Sequence, residues 1–151
     1  MLAVDTVPAP PLARPSFETI YMNLAVQLSS RSTCSRLSVG CAIVSTDYRY
    51  VFGVGYNGGA AGLSNECESD IPGQCGHLHA EENACINCRE ERSTPKVVLV
   101  THLPCKMCAK RLVNLGGVKR VLYLNDYRIR DSLEVLHSAG IIISQFVPGE
   151  Q

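Results

Sequence analysis

The chain has 151 residues, and its fourteen basic and fourteen acidic side chains cancel at neutral pH. Apolar residues make up 46% and charged residues 19% of it, as is ordinary for one globular domain with a sizeable core. The balanced charge argues against a nucleic-acid binder with a basic surface. No apolar run approaches the ~20 residues of a membrane span, and the N-terminus lacks the basic start and apolar core of a signal peptide. We therefore expect a cytoplasmic protein. In that compartment, its eight cysteines indicate metal ligands rather than disulfides.

The predicted elements alternate between helices and strands after a Pro-rich segment. Residues 1–15 have no periodicity and predict a flexible tail. Ser16 is a suitable N-cap for a first helix with apolar residues at helical spacing from Phe17 to Leu28. The further elements expected are a β-hairpin of residues 39–44 and 50–56, helices over 79–92, 104–115 and 132–139, and strands over 97–101, 119–124 and 141–146. This alternation predicts one domain over 16–151, with a sheet covered by helices and parallel in its second half.

Two short motifs in the second half of the chain together predict a metal site. His79 and Glu81 lie two residues apart at a helix start, and Cys105 and Cys108 form Cys-x-x-Cys after Pro104 at the next helix start. One histidine and two cysteines provide three ligands for tetrahedral zinc, and a fourth position open to water is typical of a catalytic zinc. Glu81 could then accept the proton of that water and pass it on. His-x-Glu with Pro-Cys-x-x-Cys is the signature of zinc nucleobase deaminases.

Each motif alone has a simpler explanation. Cys-x-x-Cys by itself is ambiguous among a structural zinc knuckle, a redox pair and chance, and a lone histidine near a helix start is more often a surface or core side chain. Glu81 two residues after the histidine and Pro104 directly before the first cysteine favour the catalytic site. A non-catalytic, zinc-stabilised module would have no use for a carboxylate beside its metal.

The motifs and the order of elements resemble the cytidine deaminase-like superfamily, and within it the deoxycytidylate (dCMP) deaminases. The resemblance also rests on Val39-Gly40-Cys41-Ala42-Ile43-Val44, on Gly55-Tyr56-Asn57-Gly58 and on Glu82-Asn83-Ala84. It implies a three-layer α/β/α fold with a five-stranded mixed sheet. It also implies zinc-dependent hydrolytic deamination of a free cytosine nucleotide, dCMP to dUMP and ammonia. Residues 58–62 lack the proline that family members usually carry there, in a stretch tied to effector binding in regulated relatives.

The resemblance assigns roles to three substrate-binding residues. The backbone near Ala80 would read the edge of the base, Asn57 would bond the sugar, and Tyr127 would lie beside the base or sugar. From the residues alone, Asn57 is equally suited to a turn with positive φ, and Tyr127 to packing on the surface. Four arginines could bind a phosphate, and the sequence does not choose among them: Arg31, Arg36, Arg128 and Arg130.

The resemblance further implies a second, structural zinc, which phage and some bacterial dCMP deaminases carry. Cys34, Cys67, Cys75 and His77 fall where those relatives have their ligands, and a closed Cys3His site is chemically ordinary. A Cys67–Cys75 disulfide and unliganded thiols are the alternatives. The family also implies a homo-oligomer, often a hexamer, and the helix over 104–115 has apolar residues on more than one face.

Other members of the superfamily act on cytidine, guanine, pterin or riboflavin precursors, or tRNA adenosine. The zero net charge argues against tRNA. The Glu82-Asn83-Ala84 context argues against nucleosides, because nucleoside enzymes often replace the zinc histidine by cysteine. We therefore predict a free cytosine nucleotide as the substrate.

Overall fold

A five-stranded mixed sheet lies at the centre of the computed structural model, which describes residues 13–149. Its strands are β1 (Gly40–Ser45), β2 (Val51–Tyr56), β3 (Lys96–His102), β4 (Val118–Asn125) and β5 (Ile142–Gln145). In the order β2-β1-β3-β4-β5, β1 runs antiparallel to β2 and β3, whereas β3, β4 and β5 are parallel. The hairpin and the parallel second half are confirmed. Most of the predicted tail over residues 1–15 lies outside the described residues.

Helices cover both faces of this sheet, which confirms the three-layer α/β/α fold. They are α1 (Phe17–Ser29), α2 (Ala80–Asn87), α3 (Lys106–Leu115) and α4 (Ser132–Ser138). The Ser16 hydroxyl accepts a hydrogen bond from the Thr19 amide at 3.1 Å, so Ser16 caps α1 as predicted. One core lies under α1, and a larger one lies under the other three helices on the opposite face. Within residues 13–149, none of the helices has the length and apolar character needed to span a bilayer.

The prediction of a helix over 79–92 is wrong at its end, because α2 stops at Asn87 and Cys88 is extended, with φ −77° and ψ 121°. The buried side chain of Lys96 explains the turn that follows. Its ammonium donates to three backbone carbonyls: Glu91 at 2.7 Å, Thr94 at 2.8 Å and Gly116 at 3.0 Å. A buried charge needs such partners, and here they hold the chain in a non-helical path into β3.

Two glycines of β2 let α2 approach the sheet closely. A Cβ atom at Gly55 would lie 2.4 Å from the Ala80 carbonyl oxygen, and one at Gly53 would lie 2.6 Å from that of Ala84. Real side chains do not fit at such distances, so only glycine allows this packing. The first turn of α2 is therefore held directly against β2.

Two amide side chains of α2 strengthen the same contact. Asn83 donates to the Tyr56 carbonyl and Asn87 to the Val54 carbonyl, each at 2.8 Å. Asn83 and Asn87 are four residues apart and therefore share one face of the helix. These bonds fix the rotation of α2 about its axis, and with it the direction of the side chains at its N-terminus.

Candidate active site

His79, Cys105 and Cys108 converge where α2 and α3 begin. His79 is the N-cap residue of α2 and Cys105 that of α3. The His79 Nδ1 atom lies 3.6 Å from Cys105 Sγ and 3.4 Å from Cys108 Sγ. A tetrahedral zinc with Zn–N of about 2.0–2.1 Å and Zn–S of about 2.3 Å separates such atoms by about 3.5 Å. The donor set and its spacing therefore both fit zinc, and residues 13–149 contain no other cluster of three such donors.

The two thiols of the cluster differ in their pKa values. A hydrogen bond from the Cys108 thiol lowers the pKa of Cys105 to about 3, with a further contribution from His79. The same contact, together with burial, raises the pKa of Cys108. The hydrogen bond with Cys105 also raises the pKa of His79. Two adjacent thiolates repel each other, and the positive charge of a bound divalent cation offsets that repulsion and keeps the coordinating thiols deprotonated.

Glu81 lies beside the donor cluster in the first turn of α2 and is only 4% exposed. Burial raises the pKa of its carboxyl to about 7. A carboxyl with a pKa near neutrality can both accept and donate a proton at physiological pH. Glu81 does not belong to the cluster of metal donors, so its position fits proton transfer.

A cavity of about 360 Å³ opens over the cluster, and His79 and Glu81 form part of its wall. The volume lies within the range of roughly 300–1,000 Å³ that is usual for small-molecule sites. All three predicted substrate-binding residues, Asn57, Ala80 and Tyr127, line the same cavity. A wider depression of about 520 Å³ lies beside the turn between β1 and β2 and contains none of the motif residues.

Asn57 lies in the cavity wall and also holds the backbone before β1. Its Oδ1 accepts from the Val39 amide at 2.8 Å, and its Nδ2 donates to the Leu37 carbonyl at 2.7 Å. Among the non-glycine residues of 13–149, Tyr48 alone has a positive φ. The alternative of a positive-φ turn at Asn57 is therefore wrong. The side-chain Oδ1 and Nδ2 atoms of Asn57 each retain one further hydrogen-bonding position.

The structure separates the four candidate arginines. Arg36 and Arg128 line the cavity. Arg31 instead lies over a tyrosine ring, 5.9 Å from its centroid, and Arg130 pairs with an aspartate at 3.4 Å. Arg36 donates to two loop carbonyls at 3.1 and 3.3 Å. Arg128 forms no hydrogen bond or ion pair with any described residue, so its guanidinium is available to a ligand.

His102 also lines the cavity, although no role was predicted for it from the sequence. It ends β3, and its Nδ1 lies 3.0 Å from the Thr101 hydroxyl. Burial lowers the pKa of its ring, which favours the neutral form. One signal could have identified it: His102 occupies the carboxyl end of a central strand, where α/β sheets bind their ligands.

The structure brings together only part of the predicted second zinc site. Cys34, Cys75 and His77 line the cavity, whereas Cys67 does not. No three of these four residues place donor atoms within 4.8 Å of one another. His77 Nε2 lies 3.1 Å from a backbone carbonyl, and its buried Nδ1 has no partner among the described residues. Burial disfavours the Cys34 thiolate, but hydrogen bonds from two backbone amides and the proximity of the His77 ring outweigh it and lower the pKa of Cys34.

Comparison with known proteins connects this geometry to one family. The family model for the cytidine and deoxycytidylate deaminase zinc-binding region matches residues 15–125. The deoxycytidylate deaminase of Mycobacterium phage D29 is 33% identical over 127 residues, which cover 74% of this chain and 97% of the phage protein. The dCMP deaminase of cyanophage S-TIM5, crystallised with dCMP and dUMP, has a TM-score of 0.76 at 32% identity, over 89% of this chain and 99% of that one.

Cellular relatives are similar over a smaller share of their length. The deoxycytidylate deaminase of Saccharomyces cerevisiae is 36% identical over 148 residues, which cover 90% of this chain and 46% of the yeast protein. The Schizosaccharomyces pombe protein, 32% identical, is also covered over 46% of its length. The chain thus spans about half the length of these curated relatives. Because the region matched by the family model includes both zinc motifs, the resemblance is confirmed, and the chain belongs to the cytidine and deoxycytidylate deaminase family.

Proposed function

We propose that this protein is a zinc-dependent hydrolytic deaminase of a free cytosine nucleotide, which converts dCMP to dUMP and ammonia. The observation that carries the proposal is the buried Glu81 carboxyl beside the His79, Cys105 and Cys108 donors, under a cavity of about 360 Å³. The similarity to phage enzymes named for this reaction supports it. We assign the activity to one domain over residues 16–151 and to the cytoplasm.

In this mechanism, His79, Cys105 and Cys108 would hold the zinc, which when bound lowers the pKa of a water molecule towards neutrality. Glu81 accepts a proton from the attacking water and delivers it to N3 of the cytosine ring. It then carries a second proton to the departing amino group. The burial that raises the pKa of Glu81 to about 7 suits it to both directions of transfer.

Substrate recognition would divide among the residues of the cavity wall. The backbone at Ala80, in the first turn of α2, would read the edge of the base. Asn57 would bond the deoxyribose through the hydrogen-bonding positions that the backbone leaves free, and Tyr127 would contact the base or sugar. The available guanidinium of Arg128 would bind the 5′-phosphate, because arginine pairs with phosphate oxygens in a bidentate manner.

We also propose the second, structural zinc on Cys34, Cys67, Cys75 and His77. Three of these line the cavity, and the buried, unpartnered Nδ1 of His77 would gain a bond that a buried polar atom otherwise lacks. The loop that carries Cys67 would have to close on the other three. We further propose that the protein is a homo-oligomer, for which the family resemblance implies a hexamer.

The test of the proposed function is an ultraviolet deamination assay of the purified protein with dCMP, CMP, deoxycytidine and dCTP. We expect the highest kcat/KM with dCMP, because only it combines the 2′-deoxy sugar with a single phosphate. Guanine, a riboflavin precursor and a tRNA substrate are assayed in parallel. Turnover of one of these three, without turnover of any cytosine compound, would contradict the proposal.

A further inference from the structure

Glu82 and Arg111 take no part in the proposed reaction, yet they connect the two helices that carry the zinc donors. The Glu82 Oε2 atom accepts a hydrogen bond from the His79 backbone amide at 3.1 Å. Its other oxygen, Oε1, lies 3.1 Å from Nη2 of Arg111. Arg111 belongs to α3 and follows Cys108 by three residues. One carboxylate therefore contacts the start of α2 with one oxygen and α3 with the other.

We infer that Glu82 and Arg111 are positioning residues that hold the His79 imidazole in place relative to Cys108 and so set the affinity of the zinc site. The inference rests on the proposed function, because it assumes that His79, Cys105 and Cys108 bind zinc. It concerns how firmly these donors are held, not which residues they are.

The backbone of His79 makes this support necessary. His79 is an extended N-cap residue, with φ −78° and ψ 159°, so its carbonyl accepts from the Asn83 amide at 3.0 Å but its own amide precedes the hydrogen-bonded part of α2. Its amide would otherwise have no partner in the helix, and a glutamate at the third helical position commonly supplies one. Glu82 occupies that position. Fixing the backbone amide restricts the direction in which the imidazole can leave the helix start.

Arg111 extends this support to the other helix. Residues three apart share a face of a helix, so Arg111 lies on the same side of α3 as Cys108. The Glu82 and Arg111 side chains are 18% and 39% exposed, whereas those of the surface pair Asp47 and Arg49 are 58% and 79% exposed. A pair that is partly shielded from water is screened less than an exposed one.

The experiment measures the zinc affinity of Glu82→Gln and Arg111→Gln by competition with a chromogenic chelator. Glu82→Gln keeps the shape of the side chain, Arg111→Gln shortens it, and each removes the ion pair. Outer residues that orient metal ligands typically change metal affinity or activity by about 10- to 100-fold, so we expect a loss of zinc affinity in that range. We also expect KM for dCMP to stay close to that of the wild type, and kcat to recover when zinc is added in excess.

The matched control is Arg120→Gln. Arg120 forms an ion pair of similar exposure, 36% and 32%, with Glu18 at 2.6 Å, and it joins α1 to β4 on the other side of the sheet. Loss of the ion pair between Arg120 and Glu18 should lower the thermal midpoint of unfolding and leave the zinc affinity unchanged. Arg111→Lys is a conservative variant that retains the charge. Its zinc affinity should lie between those of the wild type and Arg111→Gln.

A double variant tests whether the two residues act as one unit. If they do, Glu82→Gln combined with Arg111→Gln should weaken zinc binding no more than either substitution alone. Additive losses, or zinc affinities equal to that of Arg120→Gln, would overturn the inference while the proposed function stands. A wild-type protein that binds no zinc through His79, Cys105 and Cys108 would instead overturn the proposed function itself.

Discussion

At the scale of single residues, burial suits the Glu81 carboxyl to the proton transfer proposed for it. A carboxyl in water is almost fully ionised at neutral pH and is a poor proton donor. Inside the first turn of α2, loss of solvation raises the pKa of Glu81 to about 7, so one side chain can serve as base and then as acid. The neighbouring donors make that proton transfer useful, because they would hold the metal that activates the water.

Glu81→Gln should therefore remove nearly all deamination while the fold and the zinc content remain intact. Glutamine has the same shape but does not take up a proton, and general acid–base groups typically contribute about 10²- to 10⁴-fold to rate. The measurement is kcat with dCMP together with metal analysis. The exposed Glu90→Gln serves as the control and should behave as the wild type. Turnover by Glu81→Gln within a factor of a few of the wild type would reject the assignment.

Arg128→Gln should raise KM for dCMP and leave the reaction of deoxycytidine nearly unchanged. Hydrogen bonds to charged groups contribute about 1.5–3 kcal/mol, which corresponds to roughly a 10- to 100-fold change in KM. Arg130→Gln is the control, because Arg130 pairs with Asp126 at 3.4 Å and does not line the cavity. An equal effect of both substitutions, or none from Arg128→Gln, would exclude Arg128 as the phosphate ligand.

The sequence could predict the donors of the zinc site but not the residues that support them. His79, Cys105 and Cys108 are recognisable because the spacing of their motifs is local and chemically specific. The contact between Glu82 and Arg111 joins residues on different helices, and only the packing of those helices brings them together. For the same reason, the sequence could not show that Arg128 lines the cavity and Arg130 does not.

At the scale of elements, the close contact of α2 with β2 determines where the site forms. The hydrophobic periodicities and the Ser16 cap were enough to predict all four helices and all five strands approximately. The end of α2 was missed because it depends on the buried Lys96 ammonium and the three carbonyls that it binds. These carbonyls are distant in sequence or irregular in conformation, so no local pattern reveals them.

Gly55→Ala should destabilise the protein and weaken zinc binding together. The added Cβ would lie 2.4 Å from the Ala80 carbonyl oxygen and would push the first turn of α2 away from β2. Overpacking of this kind typically costs about 1–3 kcal/mol. Chemical denaturation and chelator competition measure the two effects.

Gly62→Ala is the control for this substitution. Gly62 has φ +80° and no neighbour within 4 Å of an added Cβ, so alanine there introduces backbone strain without a clash. It should lower stability modestly and leave zinc affinity unchanged. If Gly55→Ala also left zinc affinity unchanged, the contact between α2 and β2 would not be what positions the site.

At the scale of the whole molecule, the long loop between β2 and α2 has few buried apolar residues to hold it. A metal ion is one way to order such a segment. We expect about two zinc ions per chain in the purified protein. Replacing Cys67 and Cys75 by serine should remove one of them and lower the thermal midpoint, while the catalytic ion remains.

The same double substitution at Cys85 and Cys88 is the control for the metal count. Those cysteines lie outside both proposed sites, so the variant should keep both ions. Elemental analysis of each protein provides the comparison. A wild-type protein with a single zinc would reject the second site and favour unliganded thiols in the loop.

Assembly is the second property of the whole molecule. On α3, Leu112 is fully buried, whereas Met107 is 54% exposed and points away from the core. An apolar side chain on an outer helix face fits burial against another subunit. Light scattering at micromolar concentration should therefore give a mass several times the 16.4 kDa of one chain, and Met107→Lys should reduce it. Val26→Lys on α1 is the control, and a monomer with full activity would contradict the expectation.

Asn83 and Asn87 of α2 also limit how strands of other chains can add to the sheet. β2 is the outermost strand on its side of the sheet, and exposed strand edges recruit strands from other chains, which leads to aggregation and fibres. Carbonyls two residues apart point to the same side of a strand. Those of Val54 and Tyr56 already accept hydrogen bonds from Asn87 and Asn83. A foreign strand would have to displace both amides, so the side chains that orient α2 also protect the protein against polymerisation at this edge.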